Sequence, residues 1–189
     1  MPNDVDEQDL AWSFFSNAQF KEAFELYEKL AKRGDPRCLV MLGWMYETGQ
    51  GISKDTLRAA ECYEGAAGLG SSDGAFYRGR QLAVDLKYDE AVVWFERAAK
   101  QDFGPALFWL SHLHLRQLVA QADSSKGLIY LKRAARTGHF VAQRNLAVRM
   151  LRGQMGIWSI PLGALLFPWS IVKAFFHLAK DGYSERLIS

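Results

Sequence analysis

A serine in a glycine-rich segment and a pair of histidines are the residues whose types and spacing could do chemistry. The segment 70–74, Gly-Ser-Ser-Asp-Gly, matches the G-x-S-x-G pattern of a nucleophilic serine. A nucleophile elbow needs a strand before that serine, whereas a helical pattern precedes Ser72. His112 and His114 are two positions apart on a helical segment, so they point to different faces and make a poor metal pair. The sequence therefore offers no catalytic constellation, and we expect no enzyme activity, no metal and no cofactor.

The overall composition is that of an ordinary folded chain. It has 189 residues, of which 49% are hydrophobic and 23% are charged, which suits one domain or a short repeat array. Two cysteines, Cys38 and Cys62, are too few for a disulfide framework and are predicted to be buried thiols. The first ten residues are acidic and lack the apolar core of a signal peptide, so we expect a cytoplasmic location.

The elements that position the side chains come from an internal repeat. An aromatic or leucine residue stands four positions ahead of an alanine, and Gly or Asp follows that alanine three positions later. These alanines are Ala31, Ala67, Ala99, Ala135 and Ala179, spaced 36, 32, 36 and 44 residues apart. Periods of this size indicate stacked helix pairs. Alternating strand-like patterning is absent. We therefore predict an all-α, right-handed α/α superhelix of about 4.5 helix-pair repeats and about ten helices.

The repeat spacing also predicts the domain organisation. We expect a single repeat domain over residues 1–189. Its units are roughly 4–34, 35–70, 71–102, 103–138 and 139–182.

The second repeat unit, roughly residues 35–70, carries the most specific resemblance. Its segment 42–70, LGWMYETGQGISKDTLRAAECYEGAAGLG, resembles a complete Sel-one-like repeat (SLR), a cousin of the tetratricopeptide repeat. The resemblance extends over about residues 4–153, although the other units are more degenerate. It implies an α/α solenoid that binds other proteins and is not an enzyme. In bacteria, the resemblance further implies an association with envelope, polysaccharide or secretion machinery.

The first helix of each pair is expected to line a concave face where a partner binds. Counting from the Leu-Gly position of each unit places large side chains on that face: Trp12, Val40, Trp44, Phe76, Arg80, Phe108, His112 and Arg144. Such a groove could hold an amphipathic or apolar helix. The alternative, that these rings pack between neighbouring repeats, stays open because the register can slip by one residue.

The last unit contains an apolar insertion at residues 154–167. Lys173 is the single charge between Met155 and Phe176, so length alone would suggest a transmembrane helix. Pro161, Gly163 and Pro168 break this stretch into short pieces, which leaves a true membrane span as the lesser alternative. Eight large apolar side chains are expected to contact a membrane or a partner: Ile157, Trp158, Ile160, Leu162, Leu165, Leu166, Phe167 and Trp169. Capping of the last repeat is the alternative for this segment.

The charge distribution favours a membrane-related partner. Residues 1–100 have 12 Lys and Arg against 17 Asp and Glu, whereas residues 101–189 have 11 against 4. A basic end beside an apolar, Trp-containing segment suits anionic headgroups. We expect a non-catalytic adaptor, peripheral to the inner membrane, that docks on a membrane protein or an anionic lipid surface. We expect neither nucleic acid nor a small-molecule substrate. A soluble cytoplasmic scaffold whose C-terminal unit only caps the solenoid is the alternative.

Overall fold

In the computed structural model, residues 4–154 and the isolated positions 162, 164 and 168 are described. Within that part of the chain there are nine α-helices and no strand. The helices are α1 Asp4–Ser16, α2 Phe20–Ala31, α3 Pro36–Thr48, α4 Thr56–Gly68, α5 Ser72–Val84, α6 Tyr88–Ala99, α7 Gly104–Leu115, α8 Ser124–Arg136 and α9 Phe140–Leu151. They confirm the all-α prediction. The tenth predicted helix lies outside the described residues.

Local signals explain where the helices begin and end. Asp35, Asp55 and Asp123 each accept hydrogen bonds from backbone N–H groups in the first turn of the helix that follows, as a good N-cap does. Gly34, Gly70 and Gly138 come shortly after α2, α4 and α8, with φ angles of +89°, +89° and +91°. Glycine adopts this left-handed conformation without strain, so a glycine marks the end of these three B helices, while Asp102 takes that position after α6.

The helices pack in consecutive antiparallel pairs, α1 with α2, α3 with α4, α5 with α6, and α7 with α8. We call the first member of each pair, together with α9, an A helix, and the second member a B helix. Alanines of the B helices are part of the core, and Ala23, Ala59, Ala91 and Ala98 are fully buried. Small residues allow the two backbones to approach closely.

The chain divides into two compact units, which we call unit 1 and unit 2. Unit 1 ends at Gln101, and unit 2 begins at Asp102. The division falls beside the predicted boundary between the third and fourth helix pairs, while the single domain over 1–189 stays a prediction. No helix of the described residues is both long enough and apolar enough to span a membrane.

Candidate functional site

The A helices α1 and α3 and the first residue of the B helix α2 form an aromatic cluster, defined by Trp12, Phe15, Phe20 and Trp44. The ring centroid of Phe15 lies 5.7 Å from Trp12, 5.4 Å from Phe20 and 5.4 Å from Trp44. Trp12 is 47% exposed, whereas Trp44 is half-buried. Trp12 is therefore the solvent-exposed ring of the cluster. It packs against Phe15, which in turn packs against Phe20 and Trp44. Val40 is also half-buried against the core of unit 1.

Phe76 does not lie on an accessible face, which corrects its assignment as a partner-binding residue. Its side chain is 3% exposed. Its ring packs 5.9 Å from that of Phe95 and 5.5 Å from that of Tyr77. For this residue the packing alternative is correct, because the ring fills the space between α5 and α6.

Charged groups on the A helices of unit 1 neutralise one another. Arg80 donates to the Glu47 carboxylate over 2.8 Å, and the Tyr63 hydroxyl donates to the same oxygen over 2.7 Å. The Arg80 guanidinium also lies 4.9 Å from the centre of the Tyr77 ring. Burial, with the neighbouring carboxylate of Glu47, raises the pKa of Tyr63 well above its usual value. Arg80, predicted as a partner contact, is thus occupied within the fold.

A glycine on each of α3 and α5 lets an aromatic ring from the B helix approach closely. A Cβ added at Gly43 would lie 2.6 Å from a ring carbon of Tyr63, and one at Gly79 would lie 2.8 Å from Phe95. Neither position has room for a side chain. In unit 2 the corresponding positions are Ser111 and Leu131, so a serine replaces the glycine and a leucine replaces the aromatic ring.

A pocket of about 400 Å³ opens in unit 2 at this place. We call it the unit 2 pocket. Its apolar part is formed by four side chains, Phe108, Leu115, Leu131 and Val148. Its uncharged polar part is formed by Ser111, His112, Asn145 and Gln154. Two of the predicted partner-binding residues, Phe108 and His112, therefore line one cavity, whereas Arg144 is exposed on α9 and does not line it.

Three arginines complete the lining of the unit 2 pocket: Arg116, Arg149 and Arg152. Residues 102–154 contain two carboxylates, Asp102 and Asp123, and both are engaged elsewhere. Asp102 accepts from Arg133 over 2.6 Å, and Asp123 caps α8. Within the described chain, the side chain of Arg149 donates to Gln154 over 3.3 Å. Within residues 102–154, the pocket therefore has a concentrated positive charge without a carboxylate to balance it.

The histidines of unit 2 have separate roles. Desolvation, with a smaller contribution from the charge of Arg116, lowers the pKa of His112 in the pocket. His114 is buried, and its Nδ1 accepts a hydrogen bond from the Asp123 N–H over 3.1 Å. His139 begins α9, and its Nδ1 accepts from the Ala142 N–H. Its ring stacks on Phe108 at 4.9 Å. These placements confirm that His112 and His114 face different surroundings.

The arginines of the pocket were missed by counting along the repeat. They entered the sequence-based expectations only through the basic C-terminal half. One signal could have found two of them: Arg116 and Arg152 occupy the same position of successive repeats, where the preceding units have Thr48 and Val84. Two arginines one repeat apart lie at corresponding places on adjacent A helices.

The serine and cysteine side chains that could act as nucleophiles have structural surroundings in this fold. Ser72 is the first residue of α5, which follows helix α4 and a short turn, and Ser71 caps α5 by accepting from the Gly74 N–H over 3.1 Å. Burial raises the pKa of the Cys38 thiol to about 12 and that of Cys62 to about 11, so neither thiol forms a nucleophilic thiolate near neutral pH. Across residues 4–154, no cluster of three or more His, Cys, Asp or Glu side chains could hold a metal ion.

The predicted membrane-contact residues lie almost entirely outside the described part of the chain. Leu162 is described, and its side chain is 49% exposed. The other seven residues, Ile157, Trp158, Ile160, Leu165, Leu166, Phe167 and Trp169, lie outside the described residues.

Comparison with known proteins bears on the repeat as a whole. The Sel1 repeat matches residues 17–35, 36–71, 74–103 and 104–139. An uncharacterized protein of Neisseria meningitidis is 31% identical over 116 residues, which cover 61% of this chain and 25% of that protein. Chitin synthase regulatory factor 3 of Schizosaccharomyces pombe is 28% identical over 176 residues, covering 87% of this chain and 18% of that protein. The chain thus spans about a quarter or less of these two relatives.

A solved structure shows the same fold. The Sel1 repeat protein of Oxalobacter formigenes superposes with a TM-score of 0.70 at 20% identity, over 84% of this chain and 68% of that one. The repeats, the helix pairs and this likeness establish an all-α repeat superhelix. The chain belongs to the Sel1 repeat family, whose members generally mediate protein–protein interactions and are typically non-catalytic.

Proposed function

We propose that this chain is a non-catalytic adaptor that docks on a membrane protein or membrane surface through its basic C-terminal unit. The observation that carries the proposal is the positive charge of unit 2, which contains the C-terminal repeat unit. Residues 102–154 have eight Lys and Arg against two Asp, and both carboxylates are used in contacts away from the unit 2 pocket. A surface of this kind attracts anionic partners and speeds their association.

The apolar insertion at 154–167 supplies the second part of the proposal. It follows the pocket directly in the chain, because Gln154 lines the pocket and begins the insertion. Basic residues beside an apolar, Trp-containing segment are typical of proteins that lie on a membrane. An accessory role in bacterial envelope or polysaccharide machinery is the setting we favour, with the protein cytoplasmic and peripheral to the inner membrane.

Co-sedimentation with native membranes tests this proposal. The full-length chain and a variant lacking residues 154–167 are mixed with washed membranes, with the same membranes after protease treatment, and with protein-free anionic vesicles. We expect the full-length chain to sediment with untreated membranes and the deletion variant to lose most of that binding. Loss of binding after protease treatment indicates a membrane protein, and retention on vesicles indicates lipid.

The soluble-scaffold alternative gives the opposite result. A full-length chain that stays in the supernatant, or a deletion variant that binds membranes equally well, contradicts membrane docking. A thermal melt of both proteins must accompany the assay, because a large loss of stability in the deletion variant would instead assign the insertion to capping.

A further inference from the structure

We propose that the unit 2 pocket binds an acidic segment of a protein partner, one that places an apolar side chain between carboxylates. The inference rests on the proposed function, because it assumes a protein partner, and it names the site and the chemistry of that partner. The site lies within unit 2, on the A helices α7 and α9 and the residues that directly follow them, with one residue of α8.

The unit 2 pocket concentrates positive charge. Arg116, Arg149 and Arg152 line a single cavity, and guanidinium groups bind carboxylates through paired, charge-assisted hydrogen bonds. The carboxylate that balances an arginine in unit 1 has no counterpart at the equivalent position of unit 2. Glu47, which neutralises Arg80 in unit 1, corresponds to Leu115 in unit 2. The pocket has therefore exchanged an internal carboxylate for an apolar wall.

The unit 2 pocket also has the volume and the apolar lining to take a side chain. The cavity of about 400 Å³ is in the range of sites that enclose a ligand group. Leu131 stands where Tyr63 and Phe95 fill the corresponding space in unit 1, so the pocket has room for a side chain from outside. An apolar side chain would remove the walls formed by Phe108, Leu115 and Val148 from water.

These two features together select the class of ligand. A free phosphate or a lipid headgroup would satisfy the arginines but would leave the apolar walls exposed to water. A purely apolar helix would cover the walls but would bury guanidinium groups without partners, which is costly. A segment with carboxylates on either side of a leucine or phenylalanine satisfies both parts of the lining.

The test uses the full-length chain and two labelled peptides in fluorescence anisotropy. One peptide has a central leucine flanked by glutamates, and its counterpart has lysines in place of the glutamates. We expect saturable binding of the glutamate peptide, weakened by salt, and no binding of the lysine peptide. Replacing the central leucine with serine should weaken binding about threefold to tenfold, because the apolar walls lose their contact.

The decisive variants are matched in net charge. Arg116→Gln combined with Arg152→Gln should weaken binding of the glutamate peptide by about tenfold or more. Lys126→Gln combined with Lys132→Gln removes the same charge from exposed positions of α8 outside the pocket and should change binding less than about twofold. Circular dichroism checks that both variants keep their helices.

Three results would overturn the inference. They are no saturable binding of the glutamate peptide, equal weakening by the two charge-matched variants, or displacement of the peptide by inorganic phosphate or phosphatidylglycerol vesicles with no contribution from its leucine. None of these decides the proposed function. Membrane co-sedimentation that survives the loss of peptide binding would leave the adaptor role in place and remove only this site.

Discussion

The A helices of unit 1 and unit 2 use equivalent repeat positions in opposite ways. In unit 1, Glu47 binds Arg80 and the Tyr63 hydroxyl, and the rings of Tyr63 and Phe95 are fully buried against glycines. In unit 2, a leucine replaces the ring, Leu115 replaces the carboxylate, and a cavity with three arginines results. The comparison teaches that the repeat framework sets the positions, while a few substitutions decide whether a surface is closed or able to bind.

The largest expected effect separates the buried and exposed rings of unit 1. Phe76→Ala should lower the free energy of unfolding by about 3–5 kcal/mol, because a large buried ring leaves a cavity. Trp12→Ala should lower it by less than about 1 kcal/mol, since half of that side chain is already exposed. Urea denaturation measures both. Equal losses would place Trp12 in the core and remove the exposed aromatic cluster from the account.

A second substitution breaks the internal neutralisation of unit 1. Glu47→Ala should cost about 1–3 kcal/mol, because Arg80 and the Tyr63 hydroxyl both lose their acceptor. Glu47→Gln keeps an acceptor oxygen and should cost less. The same denaturation experiment compares the two variants. If Glu47→Ala unfolds at the same urea concentration as the unchanged chain, the closed character of this surface does not depend on the carboxylate.

Filling the unit 2 pocket should make it resemble its unit 1 counterparts. Leu131→Phe restores the ring that the other repeats have, and we expect a loss of stability of about 1–3 kcal/mol, because Leu131 is buried and the ring is larger. Binding of the glutamate peptide should fall about tenfold, because the ring occupies the space for the ligand side chain. Leu131→Met, which conserves volume, is the control and should keep the affinity. Full binding by Leu131→Phe would show that the ligand lies outside the cavity.

The smallest expected effect is a dependence of binding on pH. The pKa of His112 is lowered by desolvation and by the charge of Arg116. The other residues with charge in the same pocket are Arg149 on α9 and Arg152 directly after it, while the pocket residue from α8 is the uncharged Leu131. A bound carboxylate would raise that pKa, so binding takes up a proton and strengthens as the pH falls from about 7.5 to about 5.5. We expect about a threefold gain in affinity across that range, measured by anisotropy.

The control for this pH effect is His112→Gln, which should flatten the profile. His139 also has a pKa lowered by burial and stacks on Phe108 beside the pocket. A profile that persists in His112→Gln would therefore assign the proton to another group, and the role of His112 would be contradicted.

The fold could be predicted from the sequence because the residues that define the repeat act locally. Alanines at pair contacts, glycine after each second helix and a large residue four positions before the alanine each act within one helix pair. Asp102 shows the limit of that pattern, since it takes the glycine position after α6 with a φ of +53°. The repeat tolerates this change because Asp is among the few non-glycine residues that adopt the left-handed conformation at low cost.

The binding surface could be predicted only in part because its character depends on what neighbouring side chains do. Counting singled out Phe108 and His112, which line the unit 2 pocket, but it could not show that Phe76 packs against Phe95. Nor could it show that Arg80 is neutralised by Glu47, 33 residues earlier. Leu131 lines the pocket at the position where the other repeats have an aromatic ring, and that difference is visible only when equivalent positions are compared.

One measurement tests the contrast between the units most directly: a ¹⁵N NMR titration of the full-length chain with the glutamate peptide. The account predicts shifts in the backbone amides of Ser111, Asn145 and Val148 in unit 2. It predicts unchanged indole N–H signals of Trp12 and Trp44 in unit 1. Shifts centred on those two indoles, with the amides of the unit 2 pocket unaffected, would contradict it.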